Sequence, residues 1–592
     1  MEQLKIWAPH ANRVQIELAT KPGPKPGPKP RTKLSSDTNT ELKTKPCCQW
    51  QKFDLSPSEA GYWTLNAAEL KHDDAYSIFI DEEGPYPDPK SRRQPQGVHG
   101  YSQWVDHSLF GWTDENWTAP NLSLSSIIYE LHVGTFTPEG TFSSLANKLD
   151  HFVDLHIDTI ELMPIHSFSG QRGWGYDGVD LYSVFEPYGG PEELKKLINK
   201  AHEKGIRVIL DVVYNHLGPE GNYLSKFGPY FNSNYQTPWG PAINFDGLRL
   251  DAIHAIADTS ATHFLEELNT KIRLLSQSTG KKHFLIAESD LNNPQILNPL
   301  EKGGYDLDVQ WSDDFHHVLH VLLTGEQSGY YEDFTGGLLQ LKKAFENAFI
   351  YTGEYSKHRK RRHGRTHEIQ NGTKFLSYIQ NHDQVGNRAQ GNRLNQLISI
   401  EKMKIAATLN LLSPFIPMIF QGEEWGASSP FLFFSHHQDP HIAAGTRQGR
   451  RNEFSSFGWK PQDIPDPQSD ETFLNSKLKW QERMISPHKE ILAWYHNLIH
   501  IRKQNIHPIA NNLASLVVDF QKEKNIFLFN NQNLLVVINF DKAAQEVTIA
   551  KDYEIILTSE VGQNFKKNPM TVSPFSAVIL RKLQLKLYKG DL

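Results

Sequence analysis

Cysteine is nearly absent from this 592-residue chain: there are two, Cys47 and Cys48, and they are adjacent. Neighbouring cysteines rarely close an unstrained disulfide, so no disulfide framework holds the fold, and a reducing cytoplasm is the expected compartment. No CxxC pair or cysteine–histidine ligand set occurs, which argues against structural zinc. Long hydrophobic runs are lacking too. The most apolar stretch, AATLNLLSPFIPMIF (406–420), is too short to span a bilayer and carries Pro414 and Pro417. It reads as a buried helix end running into a buried strand. The opening MEQLKIWAPH has neither the basic start nor the apolar core of a signal peptide. Basic charge is not in excess: 61 Lys and Arg face 68 Asp and Glu, a net charge of −7, so nucleic acid is not expected as the main partner.

Aromatic residues and histidine are plentiful, with 13 Trp, 32 Phe and 27 His. Most of these rings belong in cores, and the rest can line a ligand cleft. The length calls for two to four domains. Residues 1–105 read as an all-β unit, a carbohydrate-binding-like sandwich. LKIWAPHANRVQIEL alternates apolar and polar residues, and GYWTLNAAEL and DAYSIFI repeat the pattern. The tract KPGPKPGPKPRTK (21–33) interrupts it and cannot enter a sheet interior, so it reads as an extension between strands. From 106 to 505, strand and helix alternate. SIIYELHV, IDTIELMP and IRVILDVV are strands. Phe142, Leu145, Leu149, Phe152 and Val153 fall at helical spacing, and PEELKKLINKAHEKG has Pro191 in its first turn and Gly205 at its end. Such alternation over this length predicts a (β/α)8 barrel. Residues 510–592 return to short strands, SLVVDF to SAVILRK, and predict a second β-sandwich.

Three stretches inside the barrel region break from an apolar run into a carboxylate: GLRLDAIH with Asp251, FLIAESD with Glu288, and LSYIQNHDQVGN with Asp383. Barrel enzymes keep their chemistry at the C-terminal ends of their strands, so these read as three carboxylates at successive strand ends. A lone strand-end Asp usually caps the next helix. Three within distinctive polar strings point instead to glycosidic-bond chemistry, which needs one carboxylate as nucleophile or base and one carboxyl as acid. Asp251 and Glu288 lie 37 residues apart, close to one βα unit, so adjacent strands would carry them. Arg249 shares a strand face with Asp251 and would keep it ionised. Glu288 follows FLIA, where partial desolvation would raise its pKa and suit it to act as the acid. In SDDFHH, Asp313, Asp314, His316 and His317 are metal-ligand types, but no further ligand cluster accompanies them; sugar hydroxyls suit them better than a metal, and a plain polar surface is the first reading of these residues alone. The basic run KHRKRRHGR (357–365) reads as a solvated loop.

These strings resemble the α-amylase superfamily, whose signature regions match in order as DVVYNH (211–216), GLRLDAIH (247–254), IAESD (286–290) and NHDQVGN (381–387). The resemblance implies Asp251 as nucleophile, Glu288 as general acid/base and Asp383 as transition-state stabiliser. It implies that His216 and His382 contact the sugar at the cleavage site, that Arg249 orients Asp251, and that Tyr176 in GWGYDGVD stacks on the same sugar. Asn215 matches a position that holds calcium in many amylases, but no acidic calcium loop follows it, so no metal and no other cofactor is expected. Over nearly the whole chain, GQRGWGYDGVDLYSV, WSDDFHHVLHVLLTGE, QGEEWGASSPFLFFSHH and GRRNEF resemble one branch, the malto-oligosyltrehalose trehalohydrolases. That branch implies hydrolysis of the α-1,4 bond beside the trehalose end of a malto-oligosyltrehalose. It implies a substrate lining of Arg249, Leu250, Ala252, Ile253 and His254; of Asp313, Asp314, Phe315, His316 and His317; and of His382, Gln384, Val385, Gly386 and Asn387. Two other readings use the same carboxylates: a branching glucan transferase, and a glucan-binding relative without catalysis.

One departure bears on the site. Family members place a loop and then a helix ahead of the strand that carries the nucleophile. Here WGPAINFDG runs straight into LRLD, and residues 217–246 show no apolar face at helical spacing. The barrel is therefore expected to lack one helix before the Asp251 strand. Such a helix buries roughly four or five large apolar side chains, each worth about 1.5–3 kcal/mol. Low stability or weak activity is the expected consequence.

Overall fold

The computed structural model describes residues 3–19, 50–65, 70–229, 246–256, 258, 260–455, 460–507, 512–560 and 568–583. Eight parallel strands close into a barrel: β1 (Ile128–Leu131), β2 (Thr159–Leu162), β3 (Arg207–Val212), β4 (Gly247–Leu250), β5 (Phe284–Ala287), β6 (Val309–Trp311), β7 (Phe375–Ser377) and β8 (Ile416–Phe420). β1 pairs with β8 and shuts the ring. The alternation of a strand divides each one's residues between two environments. Ile128, Ile209, Ile286, Trp311, Tyr378 and Met418 meet inside the ring, while Leu162, Val208, Leu210 and Leu285 face the helices outside.

The best-marked helix of the sequence is α1 (Gly190–Glu203), with Pro191 in its first turn and Leu194, Leu197, Ile198 and Ala201 buried against the barrel. The residues read as one helical stretch from Phe142 to Val153 form two short helices, Phe142–Ala146 and Leu149–Asp154. Val153 is exposed, because the break between the two helices rotates it off the shared apolar face. Two further helices matter for the site, α2 (Phe264–Thr279) after β4 and α3 (Asp313–Thr324) after β6.

Small sheets flank the barrel. On the N-terminal side, Lys5–Trp7, Ser56–Pro57 and Tyr62–Thr64 form one sheet, and Val14–Ala19, Trp50–Asp54, Ala75–Ile80 and Glu83–Tyr86 belong to a second. They share a core of Leu4, Ile6, Val14, Ile16, Tyr76 and Ile78. On the C-terminal side, a five-stranded sheet from Val517–Gln521 to Ser576–Lys582 faces a two-stranded one, Gln545–Val547 with Met570–Val572. The tract 21–33 lies outside the described residues.

Between β3 and β4, the described residues hold a single helical turn, Leu224–Phe227. It does not lie on the barrel wall. Phe227 is buried in the core of the N-terminal sheets, where Tyr86 meets its ring at 6.1 Å and that of Tyr223 at 5.5 Å. Residues 230–245 lie outside the described residues, so the expectation of a missing barrel helix falls largely there. The barrel closes beside the gap all the same. Asp246, at the foot of β4, accepts from Val208 N (2.8 Å) and Trp117 Nε1 (3.1 Å), and His202 Nε2 of α1 lies 3.1 Å from it. Leu248 on the outer face of β4 is only half-buried, while Val208 and Leu285 on the neighbouring strands are fully buried.

Candidate active site

Asp251 is the first residue beyond β4, and Arg249 projects from that strand into the barrel, fully buried. Its Nη1 donates to Asp211 Oδ1 (2.8 Å) and Oδ2 (2.9 Å) and to Asp251 Oδ1 (2.8 Å). Asn215 Nδ2 donates to the other oxygen of Asp251, Oδ2, at 2.7 Å and to its carbonyl at 2.8 Å. The guanidinium lies 4.5 Å from the centre of the Trp311 ring, a cation–π contact that fixes its plane. Its Nη2 stands 3.7 Å from Glu288 Oε2, so one buried cation reaches both carboxyl groups. Ala252 sits at φ 38°, a left-handed conformation that costs a non-glycine residue energy. The turn aims its N–H at the Glu288 carboxyl, to which it donates. Burial raises the Glu288 pKa, and Asp251 and Asp383 add to that against the pull of Arg249. Burial likewise pushes Asp211 up to about 7, despite Arg249.

Asp383 is not at a strand end, and its strand is not next in line after β5: β6 intervenes, and Asp383 lies in a short helix, His382–Gly386, beyond β7. Asn381 caps that helix by accepting from Gln384 N at 2.8 Å. Glu130 of β1 holds His382 through both its ring Nδ1 and its backbone N–H. Burial would discharge the imidazole, but Asp383 and Glu130 hold its pKa well above the ordinary value. Burial works against an ionised Asp383 as well, yet the His382 cation brings it down to about 2. Asn387 Nδ2 donates to Asp383 Oδ1 at 3.1 Å. Tyr176 lies flat against His382, ring centres 5.0 Å apart, with its hydroxyl donating to Asp211 Oδ2 at 2.6 Å. His216 and His254 are exposed on the rim, and His216 Nε2 lies 2.8 Å from the Tyr176 carbonyl. Gly386 packs so closely on Trp174 that any Cβ there would collide with the indole.

Beyond Asp383 a cavity of about 1020 Å³ opens between β5, β6 and β7; Asp290, Asp313, His317, Tyr330, Arg359 and Asp383 are among the residues that line it. Asp313 accepts from Tyr378 Oη, and burial together with Glu288 pushes it up to about 8. Asp314 accepts from Ile350 N (2.6 Å), Asn292 Nδ2 (2.8 Å) and Tyr351 N (3.1 Å), which ties the 350–363 loop to α3. Several expected lining residues do not face the cleft. Phe315, Leu250 and Ile253 pack into the core outside the barrel, Val385 packs beside Trp174, and His316 is buried against Tyr378 and His320. A strand alternates its faces and a helix turns its side chains around an axis, so part of each contiguous stretch turns away from the ligand.

Tyr330 and Arg359 were not singled out by sequence. Tyr330 donates to Gln384 Oε1 at 3.0 Å and packs on His317 at 4.7 Å. Arg359 stands in the basic run read as a solvated loop. Arg361 and Arg362 are indeed exposed, but Arg359 Nη2 meets Asp290 Oδ2 at 2.5 Å on the cavity wall.

A family model, "Alpha amylase, catalytic domain", matches residues 110–239. A malto-oligosyltrehalose trehalohydrolase of Rhizobium sp. (strain M-11) is 40% identical over 605 aligned residues, covering 97% of each chain. The chain belongs to the malto-oligosyltrehalose trehalohydrolase family. The family's member from Saccharolobus solfataricus is 46% identical, covering 76% of this chain and 81% of the relative. A solved Salmonella typhimurium structure superposes with a TM-score of 0.83 at 32% identity, over 98% of this chain and 97% of that one.

Proposed function

We propose that this chain hydrolyses the α-1,4 bond next to the trehalose end of malto-oligosyltrehalose by a retaining mechanism. Membership of the family supports the reaction, and one observation carries the assignment of roles: a single guanidinium, Arg249, bonds Asp251 and approaches Glu288. Asp251, held in place by hydrogen bonds from Arg249 and Asn215, attacks the anomeric carbon. Glu288, whose pKa burial and its anionic neighbours raise, gives its proton to the glycosidic oxygen, and the bond to trehalose breaks. Glu288, now ionised, takes a proton from water, whose oxygen displaces Asp251 and releases the maltodextrin with its anomeric configuration retained. Asp383, ionised by His382, holds sugar hydroxyls of the distorted ring, and Tyr176 stacks on that sugar. The cavity of about 1020 Å³ lined by Asp313 and Asp383 has room for a two-glucose leaving group. Among the described residues no helix is long and apolar enough to cross a membrane; together with the single adjacent cysteine pair this supports a cytoplasmic enzyme.

The test is incubation with maltopentaosyltrehalose. Free trehalose should appear, the new reducing end should retain its configuration, and Asp251→Asn should lose the activity. Formation of α-1,6 branches, binding without turnover, or an inverted anomer would overturn the reading.

A further inference from the structure

Beneath Asp251 and Asp383, the strands turn Glu130, Glu161, Asp211 and Arg249 toward the barrel axis. Glu161 on β2 must point inward, because its neighbours Ile160 and Leu162 belong to the core outside the ring. It is fully buried, and among the described residues neither of its carboxyl oxygens receives a hydrogen bond from a protein donor. Its register partner on β1 is Glu130, and its partner on β3, Ile209, is two residues before Asp211. The charged groups facing it are therefore Glu130 from β1, Asp211 from β3, Arg249 from β4 and His382 from beyond β7. Both cations bond other carboxylates, Arg249 through Nη1 alone. Arg249 holds Asp211 and Asp251, and His382 lies between Glu130 and Asp383.

An ionised carboxylate in that position would be a buried charge beside like charges, with no donor of its own. Where carboxyl groups share a buried site, one of them keeps its proton. Geometry singles out which. Asp211 accepts from Arg249 and Tyr176, Glu130 accepts from His382, and Glu161 accepts from no group among the described residues. We propose that Glu161 is a positioning residue that stands as a neutral carboxylic acid at neutral pH, leaving Arg249 to Asp211 and Asp251 and His382 to Glu130 and Asp383. Burial, Glu130 and Asp211 all push Glu161 in the same direction, well above the usual carboxylate range. Its consequence for catalysis rests on the roles assigned above to Asp251 and Asp383; its proton does not.

Glu161→Gln keeps the shape and abolishes the ionisation. The native-minus-E161Q infrared difference spectrum at neutral pH should contain one protonated-carboxyl stretch, apart from the bands that groups such as Asp313 give to both proteins. The folded state holds a proton that an unfolded glutamate releases above about pH 4.3. Native stability must therefore fall as pH rises from there toward the folded pKa, so the Tm advantage of E161Q over the native enzyme should widen with pH. On the alkaline side the native enzyme should lose kcat/KM more steeply than E161Q, beyond the limb that Glu288 gives to both, because an ionised Glu161 would compete for Arg249 and His382. A difference spectrum without that stretch, a Tm difference that is flat or shrinks with pH, an equal alkaline loss in the two proteins, or failure of this isosteric variant to fold would overturn the proposal. If Asp251→Asn were instead to retain trehalose release, the catalytic roles would fall while the infrared and melting results kept their meaning.

Discussion

Arg249 concentrates the charges of the site on one side chain, since it bonds Asp251 and Asp211 and approaches Glu288. Arg249→Met should destabilise the protein by about 3–5 kcal/mol, read from urea unfolding, because it leaves buried carboxylates without their cation. Unchanged stability would show that those carboxylates are already neutral. Glu288→Gln should lower kcat by roughly 10²–10⁴-fold, the usual contribution of a positioned acid. In the proposed role Glu288 acts while protonated, so activity should fall as pH rises through its raised pKa, and E288Q should lack that limb. Asp383 titrates near 2, so no loss of activity on the acid side above that pH should trace to it. The sequence exposed Asp251, Glu288 and Asp383 because each interrupts an apolar run. It hid Tyr330, Arg359 and Glu161, whose meaning comes from partners far away in the chain. A glutamate in the middle of TIEL carries no local mark of a buried proton.

At the level of elements, the short helix that presents Asp383 is braced from α3. Arg388, just past that helix, grips Glu326 with two bonds of 2.7 and 2.8 Å, and His320 of α3 meets the same carboxylate at 2.7 Å. Glu326→Gln should weaken the brace and lower kcat roughly tenfold with little change in KM, a cost of about 1.4 kcal/mol. An equal rise in KM would mean that the brace holds substrate rather than Asp383. Arg388 and His320 keep Glu326 well below the usual carboxylate range. The stability it contributes is therefore complete above about pH 4.3 and lost as pH falls through its lower folded pKa, a loss that E326Q should not show in melts run at falling pH. Strand positions and the α1 helix were legible in the sequence because period and capping agree there. The break between Ala146 and Leu149 was not, because the apolar spacing runs on across it.

The architecture of the whole molecule, a barrel between β-rich flanks, was legible from where alternating strands give way to strand–helix repeats. What no periodicity could reveal is where the segment between β3 and β4 goes. Leu248 stays half-exposed on β4, and Leu274 and Leu275 stand exposed on α2. Inserting an amphipathic helix ahead of Asp246 that covers these leucines should raise stability by about 1.5–3 kcal/mol for each one buried. No rise in Tm would mean that residues 217–246 already shield the strand as well as a helix does. The turn that holds Phe227 has its own implication. The chain on its way from the third strand to the nucleophile is moored in a neighbouring unit, so the flanking sheets and the catalytic barrel are not severable. A protein trimmed of residues 1–105 should aggregate rather than survive as a smaller enzyme. Random recombination between relatives should tolerate crossovers poorly wherever they part those sheets from Phe227.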